Sequence, residues 1–129
     1  MTYQIDAARR LIHTICSRPL TFNEVIEHFR TLNEDPACTG HLDVLLDVSE
    51  ADTLPVSSQL GPVVAELGAV RAKVEFGICA IIATRDAMFG MMRMFEVSAG
   101  AYFRAIRVFR GAAEAQAWLV SQQSAADHG

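Results

Sequence analysis

The chain has 129 residues, 51% hydrophobic and 20% charged, which is the balance of one folded domain and excludes a disordered segment. Its net charge is −4, and among 11 basic residues only Lys73 is a lysine. The arginines are scattered and form no run, so a nucleic-acid footprint is excluded as well.

Thr2–Ile5 and Arg10–Cys16 read as two short strands joined by a tight turn. In the second, Leu11, His13 and Ile15 alternate with Ile12, Thr14 and Cys16, the pattern of a strand touched on both faces. The stretch LTFNEVIEHFRTL is the clearest helix. Thr21 and Glu24 have capping-box spacing, Leu20 and Val25 stand as a hydrophobic staple, and Phe22, Val25, Ile26, Phe29 and Leu32 form one apolar stripe. HLDVLLDV and FGICAIIAT are strands whose nearly continuous apolar character suits a sheet covered on both faces. Between them, Leu60, Val63, Val64, Leu67 and Val70 mark a helix, with Pro62 tolerated in its first turn. A methionine-rich helix over 86–100 follows, then the strand RAIRVF and a last helix through Trp118.

The predicted fold is therefore α/β. A mixed, mostly parallel sheet is opened by a β-hairpin and has helices packed on it, in the order β-β-α-β-α-β-α-β-α. Residues 1–121 form the single domain, and the small, polar ending 122–129 is expected to fray.

Three regions carry a resemblance to a known family. They are YQID…RLIHTICSRPLTFNEVIEHF, VLLDVSEADTLPVSSQLG, and AIIATRDAMFGMMRMFE followed by IRVFRGAAEAQAWL. Together, over Tyr3 to Leu119, they resemble the SpoIIAA-like proteins, stand-alone relatives of the STAS domain (sulfate transporter and anti-sigma factor antagonist). The resemblance implies a non-enzymatic binding role. In the anti-sigma-antagonist branch it further implies a partner kinase and phosphorylation of a serine that opens the helix after the central strand. The matching positions here are Ser57 and Ser58, with Val56 in place of the family's acidic residue and Gln59 in place of its glycine. The fold is also similar to the lipid-carrying lobe of SEC14-type proteins, where helices beside the sheet open over an apolar pocket.

Read from chemistry alone, Ser57 and Ser58 equally suit a capping role at a helix start. Asp47 stands where a strand should end and is a candidate for a pocket rim or a turn former. Cys38 and His41 have C-x-x-H spacing but lack a second ligand pair, so no metal and no cofactor is expected. Cys16, Cys38 and Cys79 form no C-x-x-C pair. The opening MTYQIDAARR lacks the apolar run of a signal peptide, and a cytoplasmic protein with free thiols fits. No motif of a serine hydrolase, P-loop or dinucleotide site is present.

On a wheel of the 86–100 helix, Ala87, Met88, Met91, Met92, Met94, Phe95 and Ala99 share an arc of roughly 160°. Phe89 and Val97 fall outside it, and Phe89 needs a partner of its own. The leading expectation is a hydrophobic ligand, such as a lipid, or a membrane surface met through this helix. Phe89, Met92 and Phe95 would gate the site, Met88 and Met91 would form an adaptable floor, and Arg93 would meet an anionic headgroup. A homodimer contact through the leftover apolar residues, or a protein partner reached through Ser57 or Ser58, is the alternative.

Overall fold

The computed structural model describes residues 1–53 and 57–128. Strand β1 (Thr2–Asp6) turns back into β2 (Leu11–Pro19), and Asp6 closes the turn by accepting the Arg9 N–H at 3.2 Å. Helix α1 (Phe22–Glu34) then starts as its capping box requires. Thr21 Oγ1 accepts the Glu24 N–H at 3.2 Å and donates to the Glu24 carboxylate at 3.3 Å, while the staple residues Leu20 and Val25 are both buried. Strand β3 (Gly40–Thr53), helix α2 (Leu60–Arg71), strand β4 (Val74–Ile82), helix α3 (Asp86–Ala99), strand β5 (Ala105–Phe109) and helix α4 (Ala112–His128) follow. Residues 122–128 belong to α4. Gln123 Nε2 there donates to the Arg9 carbonyl at 3.1 Å and to Asp43 Oδ2 at 2.9 Å.

The five strands lie in sequence order, β1-β2-β3-β4-β5, with β1 antiparallel to β2 and every later pair parallel. This is the α/β fold with an opening hairpin that the apolar patterning predicts. A sheet that grows in one direction through right-handed crossovers places each crossing helix on the same face. Accordingly α1, α2 and α3 share one core cluster with Ile12, Val48 and Phe76. Helix α4, which follows the last strand, covers the other face with Ala115 and Leu119 against Leu45, Ile78 and Phe109.

Strand β4 changes parity partway. Val74 and Phe76 face the three-helix side, and after a bulge at Gly77 and Ile78 that side is taken by Cys79 and Ile81. Asp43 serves the bulge: its Oδ1 accepts the Ile78 N–H at 2.8 Å. Residue 77 must be glycine for this to work, since a Cβ there would stand 2.1 Å from that same oxygen. Among the described residues, no helix is long and apolar enough to cross a membrane.

Candidate functional site

Between the sheet and the three helices lies an apolar cavity. The centres of water-sized spheres can sweep about 100 Å³ of it, room for several waters or one small organic molecule. Folded cores hold few voids larger than a water, so a space of this size sets the region apart from ordinary packing. Alternation along the strands builds the floor: Ile12, Thr14 and Cys16 from β2, and Val44, Leu46 and Val48 from β3. The walls come from helical spacing. Val25, His28 and Leu32 recur at i, i+3 and i+7 on α1, Val63 and Leu67 at i and i+4 on α2, and Met91, Met92 and Phe95 on α3. Phe76 and Phe103, with ring centroids 5.2 Å apart, close the end toward β5.

Two polar side chains line this space. Thr14 is 2% exposed and His28 is 9% exposed. Neither side chain makes a hydrogen bond to another described residue, and among the described residues no polar side-chain atom is both fully sealed and unpaired. Burial pushes the His28 imidazole down to about 4, with a smaller push from the chain's amino terminus, so it is neutral at physiological pH. Its ring stacks edge-on to Tyr3 at 5.4 Å and to Phe29 at 5.3 Å. Tyr3 is also the cross-strand partner of Thr14, so Thr14 and His28 both neighbour one tyrosine. That tyrosine is tied down in turn: its hydroxyl donates to Asp35 Oδ2 at 2.6 Å, which raises the phenol to about 12 and holds the Asp35 carboxyl below its usual range.

The residues expected at the site divide. Met91, Met92 and Phe95 line the cavity. Met88 is buried in the same core, one turn away from the void. Phe89 is half-buried beneath Arg110, whose guanidinium sits 4.3 Å over the ring and also pairs with Asp86; the leftover aromatic has a cation as its partner. Arg93 is outside, paired with Glu96 at 3.2 Å. Met94, assigned to the apolar arc on the wheel, is 46% exposed, and Ala87 is exposed too. The buried face of α3 is narrower than the wheel implies, because only Met88, Met92, Phe95 and Ala99 are fully covered.

Asp47 is not at the cavity rim. It projects from the face of β3 opposite Leu46 and Val48, and its Oδ1 accepts from the Ser49 N–H at 2.9 Å and from the Ser49 hydroxyl. Strand β3 does not end at Asp47 as expected but runs on to Thr53, and the bonds to Ser49 serve a bulge against β2. Ser58 is exposed on a 3-10 turn (Ser57–Gln59) that runs into α2; Val56 and the Ser57 side chain lie outside the described residues. The three cysteines are free and buried, and burial raises each thiol, Cys16 to about 12, which removes the thiolate that reactivity needs. His41 meets Glu75 at 3.5 Å, and among the described residues no group of His, Cys, Asp and Glu could hold a metal ion.

Sequence reasoning missed both polar liners. A signal for His28 was present, since it sits three residues after Val25 and four before Leu32 on the stripe. Thr14 sits between Ile12 and Cys16 on an otherwise apolar strand face. With the cavity's geometry in place, the comparisons with known proteins add no identity: no family model, no curated protein and no solved structure matches this chain.

Proposed function

We propose that this protein is a non-enzymatic, SpoIIAA-like binding protein that holds a small hydrophobic ligand between its sheet and helices α1 to α3. The observation that carries the reading is the apolar cavity itself, with about 100 Å³ of free space between the sheet and three helices. Helix α3 contributes the adaptable wall: methionine has three flexible torsions, so Met91 and Met92 can reshape around different guests. The site differs from the surface expected on α3, because the ligand sits beneath the helix and neither Phe89 nor Arg93 touches it.

The five methionines supply the test. With methyl-labelled methionine, p-xylene should shift the Met91 and Met92 methyl resonances in a saturable way, while the exposed Met94 stays in place as an internal control. Unmoved Met91 and Met92 signals at saturating p-xylene would sink the reading. The other reading, a partner-binding regulator switched by phosphorylation, has the exposure of Ser58 on the turn before α2 behind it. A species heavier by one phosphate in protein from its own host, absent from a Ser58→Ala variant, would favour it.

A further inference from the structure

The cavity has a polar end and an apolar end, and the two ends constrain what fills it. Thr14 and His28 both border Tyr3, on the side of the sheet nearest β1. Phe76 and Phe103 lie two strands further across, and at the usual spacing of about 4.8 Å per strand this is roughly 10 Å away. Among the described residues no Asp, Glu, Lys or Arg lines the space, while Met1, which carries the chain's amino terminus, borders it and acts on His28. A cationic guest would therefore leave water without a counter-charge in the wall, which is costly. A purely apolar guest would leave Thr14 and His28 without hydrogen-bond partners.

A hydroxyl answers both groups. The neutral imidazole offers one acceptor and one donor nitrogen, and the threonine hydroxyl can donate or accept. One guest O–H can thus donate to one side chain and accept from the other. We propose that the cavity selects a small molecule with an apolar body and a single hydroxyl, a phenol or a short alcohol, seated with its hydroxyl between Thr14 and His28. This rests on the cavity being a ligand site, and it adds the class of ligand. Met91, Met92 and Phe95 cover the apolar body, and the polar end sets which molecules stay.

Three near-isosteric probes separate the possibilities: p-xylene, p-cresol and 4-methylbenzoate, each titrated into the full chain by calorimetry. A site built to pair with a hydroxyl discriminates strongly against the analogue that lacks it, so p-cresol should bind at least ~10-fold tighter than p-xylene. The isosteric Thr14→Val variant should cut that preference to about threefold or less and leave p-xylene affinity within about twofold. His28→Phe should lower the preference as well. Binding of p-xylene with no gain for p-cresol would overturn the hydroxyl assignment and leave the cavity reading intact. Tighter binding of 4-methylbenzoate than of p-cresol would overturn the hydroxyl assignment in favour of an anion held by the amino terminus. If no probe binds, the cavity is not a ligand site and both proposals fall. Should either variant fail to fold, the ratio measured on the unaltered protein still decides.

Discussion

The two faces of the sheet bury polar side chains in opposite ways. On the α4 face, Asp43 accepts from Ile78 N–H and from Gln123, and Asp47 accepts from Ser49; each of these carboxylates has donors that belong to the fold. On the three-helix face, Thr14 and His28 are more deeply buried and have none among the described residues. A paired polar group locks a register or a turn. An unpaired one beside a void costs stability and is where a ligand can repay the cost. The difference teaches that burial alone does not separate structural from functional polar residues, whereas the inventory of partners does.

The comparison can be broken most decisively with acid. The neutral His28 has a folded-state value of about 4 against 6.5 for the free side chain, so between these values the unfolded chain takes up a proton that the folded chain refuses. Stability should be complete above about pH 6.5 and should fall by about 3 kcal/mol as the pH drops to about 4. Urea denaturation across that window reads the slope, and His28→Phe should flatten it. A slope unchanged in that variant would mean that His28 is not the group refusing the proton. The Tyr3–Asp35 bond adds a further loss at lower pH, because a depressed carboxyl gives up its stabilisation as it protonates.

Asp43→Ala tests the partnered side. It strands the Ile78 N–H at the bulge and frees Gln123, and should cost about 2 kcal/mol in urea midpoint measurements. Thr14→Val is the smallest effect and carries the opposite sign. Replacing an unpaired buried hydroxyl with a methyl should stabilise the empty protein by up to about 1 kcal/mol. Destabilisation by Thr14→Val as large as that from Asp43→Ala would erase the distinction between the two faces.

Local signals in this chain were legible wherever the physics is local. The capping box at Thr21 and Glu24 names its own partners because they lie three residues apart, and both hydrogen bonds are present. The alternation in β2 and the apolar runs of β3 and β4 fix the sheet, since a pleat sends neighbouring residues to opposite faces. Helix α3 shows the limit. Its wheel separates Met92 and Phe95 from Arg93, as the structure does, but places Met94 inside the apolar arc. A wheel counts residues at equal weight, while the width of the buried face depends on how closely the helix approaches its neighbours. Phe89 likewise needed a partner, and only the return of the chain after β5 brings Arg110 over its ring.

What the sequence determined by itself is the order of elements and the capped start of α1, because these follow from periodicity and capping over a few residues. Only the tertiary structure decided that Asp47 points away from the three-helix core, and that Thr14 and His28 meet around Tyr3 beside an unfilled space. Those facts depend on which face of the sheet the crossovers cover, on pairing between residues 11 positions apart in a hairpin, and on how well three helices fill the layer above the sheet. No local pattern encodes a void, since a cavity is the volume that many correctly placed side chains together fail to occupy.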